Sequence, residues 1–229
     1  MTAAAIGKLK GSRRSPKGER TRSQILDAAE SLFAALPFDA VFQRDIATRA
    51  EVRVSLVTHH YPTKASLFDA VAARRALELN EQRRANLASL AELSIDAILD
   101  AFFLPLVERA KRSDEGWIAH FHMMSKFLYS EIGVEVGNRY YTSVTWEFVN
   151  ALSKAAPEMD RATLARALLY SSDILLNSIF LPNRHEEIVD SDPANKADHH
   201  HTTSDYDIIR PFVLGGFDAL IKRAQHHAH

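Results

Sequence analysis

Cysteine is absent from this 229-residue chain, so neither a disulfide framework nor a thiolate metal site can hold it together. That absence fits a reducing, cytoplasmic setting. Glycine and proline number only eight each, and β-branched runs are few. With Ala, Leu, Arg and Glu abundant, helix is favoured throughout. Long apolar runs are missing as well. No segment approaches the roughly 18 uninterrupted apolar residues of a membrane span, so no membrane partner is expected. The opening stretch MTAAAIGKLKGSRRSPKGER is basic but carries no apolar run after its charges, and does not read as a secretory signal. What the chain does have is a 46% hydrophobic content, enough for a sizeable core. Its formal net charge of −1 also hides an asymmetry. Residues 1–64 hold eleven Lys and Arg against six Asp and Glu, a net of +5, and the remainder carries −6. A basic third on an acidic body suggests a polyanion contact at one end, or a solvated basic tail.

The apolar periodicity predicts an all-α fold of about nine helices. Residues 1–15, with Lys8, Lys10, Arg13 and Arg14, lack periodicity and read as a flexible basic arm. Ser15-Pro16 is a plausible helix start, and Ile25, Leu26, Ala29, Leu32 and Phe33 mark a helix stopped by Pro37. Ile46, Ala47 and Ala50 then give one short face, and Val52, Leu56, Val57 and Tyr61 a second, ended by Pro62. Two short helices a few residues apart form a helix-turn-helix pattern, here within residues 16–64. The second helix presents Arg53, Val54, Ser55, Thr58, His59 and His60 outward. Residues 65–225 read as a larger helical unit. Its helices run to about Leu87, across 95–107 with Pro105 as a kink, around 117–128, from Tyr140 to near Pro157, across 164–179 and across 208–221, with a polar loop over 183–205.

The stretch RVSLVTHHYPTK, residues 53–64, poses the sharpest question, because it carries adjacent histidines. Helix neighbours point about 100° apart, so His59 and His60 cannot readily share a metal, and no ligand partner lies four residues away. No nucleophile accompanies them either, so no catalytic residue, metal site or cofactor is expected. Half-burial against the first helix is the alternative for His59, and His60 reads as the outer one; the pair reads best as contacting phosphate or a base edge. Gln43 and Arg44 open the first short helix, whose N-terminal amides can take a phosphate. Thr21 and Arg22 are placed to clamp the flanking backbone. Tyr61 reads as core. The triplet His199–His201 with Asp198 reads as solvated loop.

Over residues 21–68 the chain resembles the tetracycline-repressor (TetR) family of bacterial transcription regulators. The resemblance rests on TRSQILDAAESLF (Thr21–Phe33), Phe38, IATRA (Ile46–Ala50), Val52 and HHYPTKASLF (His59–Phe68). It implies a three-helix DNA-binding domain followed by a helical effector-binding and dimerisation domain. Lys64 matches the family's phosphate-contacting lysine. Pro37 and Glu51 stand where the family usually has glycine. A non-glycine residue at positive φ costs about 1 kcal/mol, which leaves room for a different turn conformation at Glu51. Arg53 replaces the usual serine cap, a role Ser55 could take over, and Thr58 replaces a common aromatic.

The resemblance further implies a pocket among the body helices for a small, largely apolar effector, with Phe103, Trp117, Phe121, Met124, Tyr141 and Trp146 as lining. His120, His122, Tyr140 and Asn177 are candidate polar anchors. Wide apolar faces on the eighth and ninth predicted helices, including Leu168, Leu175, Phe212 and Phe217, imply a homodimer, and Gly215-Gly216 permits close approach there. Such a dimer would bind double-stranded operator DNA as a repressor. An activator of the same fold, or a helical apolar-ligand carrier or enzyme without DNA binding, are the rival readings.

Overall fold

The computed structural model describes residues 16–111, 114–127, 130–180, 187, 191 and 205–227. The arm with Lys8, Lys10, Arg13 and Arg14, most of the 183–205 loop and His199–His201 lie outside the described residues. Those described form ten α-helices and one 3-10 turn, with no strand among them. The helices are α1 (Pro16–Ala35), α2 (Gln43–Arg49), α3 (Val54–His60), α4 (Lys64–Ala88), α5 (Ile95–Lys111), α6 (Glu115–Phe127), α7 (Glu131–Tyr140), α8 (Thr142–Ala155), α9 (Arg161–Phe180) and α10 (Asp205–His227). The 3-10 turn spans Phe38–Ala40, between α1 and α2.

One helix was not foreseen. Residues 131–140 form α7, and the helix expected from Tyr140 starts at Thr142 as α8. Gly133 and Gly137 weaken the helical pattern of this segment, yet Ser130 caps it by accepting from the Gly133 amide at 3.2 Å. The expected eighth and ninth helices are thus α9 and α10. Pro105 lies inside α5 without ending it.

Two cores hold these elements. In the N-terminal one, Phe33 of α1 stacks on Phe38 at 5.8 Å and meets Phe68 of α4 edge-on at 5.2 Å, and Phe68 meets Phe127 of α6 at 5.0 Å. Each fully buried ring is worth roughly 1.5–3 kcal/mol. Helix α6 is therefore built into the core that carries α1–α3, and Lys126 donates to the Ala34 carbonyl at the end of α1. The second core joins α4, α5, α8, α9 and α10 through Leu79, Ile98, Phe102, Val144, Phe148, Leu152, Leu164, Leu168 and Val213.

Candidate nucleic-acid interface and cavity

The turn between α2 and α3 follows from its backbone bonds. The Glu51 amide donates to Thr48 O at 3.2 Å and the Val52 amide to Ala47 O at 3.0 Å, the paired closure of a Schellman motif. That closure needs a left-handed residue after the helix, and Glu51 supplies it at φ 55°. The different conformation left open for a non-glycine residue is not adopted.

Helix α3 is held by a few contacts. Val57 and Tyr61 are buried, and Val52 is half-buried. Leu56, expected on this inner face, is instead 38% exposed. His60, expected on the outer side, differs as well. His59 is exposed and His60 half-buried beside the Tyr61 ring. Both corrections amount to a small rotation of a seven-residue helix, which its short apolar pattern cannot fix. The Arg22 guanidinium lies 5.3 Å above the Tyr61 ring, and Gln43 Nε2 donates to the Tyr61 carbonyl at 2.9 Å. Gln43 and Arg22 thus clamp the end of α3 to α2 and α1. Thr21 bonds back to Lys17 O within α1 at 3.0 Å.

Arg53 begins α3 as its N-cap without a side-chain cap bond, so Ser55 does not take over that role. Val54, Ser55, Thr58 and His59 are exposed, with the Thr58 hydroxyl turned back to Val54 O and Ser55 O. Beside them, Arg44 lies over the exposed Phe42 ring at 5.0 Å. Lys64 Nζ donates to Phe38 O at 2.6 Å and lies 4.5 Å from the Phe38 ring. An ammonium has three N–H donors, so this bond leaves two of them uncommitted to Phe38 O. A capping box between Thr63 and Ser66 fixes the start of α4 at this point. The result is a protruding short helix ringed by Arg22, Arg44, Arg53 and Lys64. Among the described residues no group of three or more His, Asp or Glu could hold a metal ion.

The body encloses a cavity of about 190 Å³ between α4, α5, α6, α7, α8 and α9. Phe103, Trp117, Phe121, Met124 and Tyr141 all line it. Trp146 does not: it is 44% exposed on α8, with Arg161 5.4 Å above its ring. Of the four polar anchors suggested by sequence, only His120 reaches the lining. His122 is exposed, Tyr140 donates to Asp69 at 2.7 Å, and the Asn177 amide donates to Asp173 O. Sequence reasoning missed Arg83, a lining residue only 5% exposed.

His120 also belongs to a buried polar cluster between α1, α4 and α6. Glu30 of α1 accepts from Arg75 at 3.1 and 2.8 Å and from Arg74 at 2.7 Å. His120 Nδ1 approaches Glu30 at 3.4 Å, too poorly aligned for a full hydrogen bond. Burial pushes the Glu30 carboxyl up, but His120 and Arg75 more than offset it and hold it at about 2. Burial dominates at His120 and lowers its pKa, keeping the imidazole neutral. Gly116 leaves room for the Arg75 guanidinium, where a Cβ would collide with it. The cluster's legible signal was Glu30 itself, a charge set in the apolar stripe of Leu26, Ala29 and Phe33.

The expected dimer residues fare differently from one another. Leu168, Leu175 and Phe217 are buried within the protomer's own core, so they are not surface residues. Phe212 is 69% exposed, and Leu169, Tyr170, Ile174 and Ile208 are exposed with it on α9 and α10. Gly215 and Gly216 face open space. Among the described residues no helix is long and apolar enough to cross a membrane.

Two family models match the chain. Residues 25–71 match one described as bacterial regulatory proteins, tetR family, and residues 100–216 match one described as tetracyclin repressor-like, C-terminal domain. No curated protein matches. Among solved structures, the chain is similar to a candidate transcriptional regulator from Pseudomonas aeruginosa PAO1, at 18% identity and a TM-score of 0.66, covering 96% of this chain and 98% of that one. It is also similar to a candidate tetR family regulator from Shewanella sp. PV-4, at 15% identity and a TM-score of 0.60, covering 86% and 95%. A third, a candidate TetR-family regulator from Rhodococcus sp., has 16% identity and a TM-score of 0.59, covering 89% and 99%. At these identities the likeness is one of fold.

Proposed function

This chain belongs to the tetR family of bacterial regulatory proteins, whose members are DNA-binding transcription regulators rather than enzymes, and from that premise we propose a homodimeric repressor released from its operator by a small effector. The observation that carries the reading is the outward face of α3. Val54, Ser55, Thr58 and His59 are exposed there on a helix clamped from behind by Val57, Tyr61, Gln43 and Arg22. Residues 16–64 form the DNA-binding unit and 65–225 the effector and dimer unit.

Each candidate contact has its own role. Arg53, Ser55, Thr58 and His59 meet base edges in a major groove, and Val54 offers an apolar contact to a thymine methyl. Arg22, Arg44 and Lys64 meet phosphates, and Thr21 and His60 support the flanking backbone contact. Gln43 holds α3 in place. Exposed Leu169, Tyr170, Ile174, Ile208 and Phe212 form the two-fold interface, which sets two α3 helices about one DNA turn apart.

Release follows from the position of His120. It lines the cavity and abuts Glu30, which belongs to α1. A ligand that fits the cavity only when α6 shifts against α1 would favour a dimer with misplaced recognition helices. Its differential affinity for the two forms sets the size of that shift.

The test is selection from random duplexes followed by titration with salt. The expected result is enrichment of a roughly palindromic site whose affinity falls steeply as salt rises. No enrichment, with binding indifferent to salt, would remove the DNA-binding reading of this face.

A further inference from the structure

Arg83 sits on α4, 5% exposed, and lines the cavity. Its Nε donates to the Phe102 carbonyl at 2.9 Å, and its guanidinium lies 3.9 Å above the Phe102 ring. Among the described residues no carboxylate pairs with it. This sets it apart from the other described arginines of the body that are not exposed, Arg74, Arg75, Arg109 and Arg210, each of which has a carboxylate partner. Its neighbour Arg84 pairs with Glu147, Arg109 with Glu78, Arg139 with Asp69 and Arg210 with Asp100. A buried cation without a counter-charge is costly, and one carbonyl and one ring face offset that cost only in part. Burial lowers the Arg83 pKa to about 10, so it stays charged at neutral pH. Tyr141 lines the same cavity near Arg83, and burial raises its pKa, so its hydroxyl stays protonated as a donor.

The rest of the lining differs in chemistry. Phe103, Trp117, Phe121 and Met124 give an apolar floor. Thr145 bonds to Tyr141 O and Ser172 to Leu168 O, while His120 is turned to Glu30 at 3.4 Å without a full hydrogen bond. Asp173, the lining carboxylate, is an exposed residue and makes no ion pair with Arg83.

We propose that the cavity takes an amphipathic organic anion, a monocarboxylate whose charged end seats against Arg83 and Tyr141 and whose compact apolar body lies along Trp117, Phe121 and Met124. The ligand supplies the counter-charge that the protein omits. A neutral apolar molecule of the same shape would leave the guanidinium unpaired. This deepens the effector reading above and rests on it only for the choice of cavity.

The experiment compares two probes that differ in charge and little else, naphthalene-2-carboxylate and 2-naphthalenemethanol, by isothermal titration calorimetry on the full chain without DNA. The carboxylate is expected to bind at least about tenfold more tightly, since a charge-assisted pair to a buried arginine is worth that much. Arg83→Met should abolish the preference while keeping or improving binding of the alcohol. Arg83→Lys should keep part of it. Equal or tighter binding of the alcohol by the parent protein, an undiminished preference in Arg83→Met, or binding of neither probe would each overturn the proposal. The parent comparison decides even where a variant fails to fold. Carboxylate binding as expected with unchanged operator affinity would support this inference and count against release by an effector.

Discussion

Glu30 on α1 and Arg75 on α4 are joined by two hydrogen bonds of 3.1 and 2.8 Å, inside a contact that α6 closes from the other side. The pair ties the helix leading into the DNA-binding unit to the first long helix of the body. Its geometry is the planar fork that suits guanidinium and carboxylate. Glu30→Ala takes both hydrogen bonds from the half-buried Arg75 and leaves Arg74 with Asp27 alone, and should cost about 3 kcal/mol, read as a lower urea midpoint with an unchanged slope. A midpoint equal to that of the parent would mean that the cluster adds nothing to stability.

Acid should weaken this cluster through two groups of the same sign. The folded Glu30 pKa of about 2 lies below its ordinary 4.5, so its contribution is present above 4.5 and is lost as pH falls towards 2. The folded His120 pKa is also depressed below its ordinary 6.5, so the unfolded chain binds the proton first. Its contribution is present above 6.5 and fades as pH falls below it. Melting temperature should therefore decline below about pH 6.5, and His120→Gln should flatten the upper part of that decline. An unchanged profile in the variant would show that His120 does not titrate between the two states.

Glu51 occupies a left-handed conformation that the turn before α3 requires. Glu51→Gly removes the steric cost of the side chain but frees the unfolded backbone, so the net gain should stay under about 1 kcal/mol. Thermal melts of both proteins measure it. A clear loss of stability would mean that the Glu51 side chain makes a contribution larger than its strain.

The interface is expected on exposed residues rather than on the buried ones of the same helices. Phe212→Asp should yield a folded monomer in sedimentation velocity. Phe217→Ala, deep in the protomer core, should cost roughly 3–5 kcal/mol while leaving the folded fraction dimeric. A dimeric Phe212→Asp protein would move the interface away from this part of α10.

Much of this fold was legible because punctuation and period agreed. Pro37 and Pro62 close α1 and α3, and the 3–4 spacing of Ile25, Ala29 and Phe33 sets the buried face of α1. Helix α7 was hidden by Gly133 and Gly137, which contradict the local propensity that tertiary packing overrides. Leu168, Leu175 and Phe217 were misplaced because a helix apolar on several faces does not reveal which face meets its own core and which a partner. Leu56 and His60 were misplaced because seven residues are too few to fix a rotation. The pairing of Glu30 with Arg75, and the lack of a pair at Arg83, arise from long-range packing that no local pattern carries. Arg83 nonetheless left a trace, since it falls four residues after buried Leu79 on the apolar stripe of α4.

The most direct measurement is the affinity of Thr58→Ala, His59→Ala and Lys64→Ala for the selected operator and its single-base variants, at several salt concentrations. Thr58→Ala and His59→Ala should change the preference at particular base pairs by roughly 1–3 kcal/mol per lost contact. Lys64→Ala should weaken every duplex alike and lower the salt slope by about one. Uniform weakening by all three, with base preferences intact, would contradict the claim that the exposed face of α3 reads the sequence.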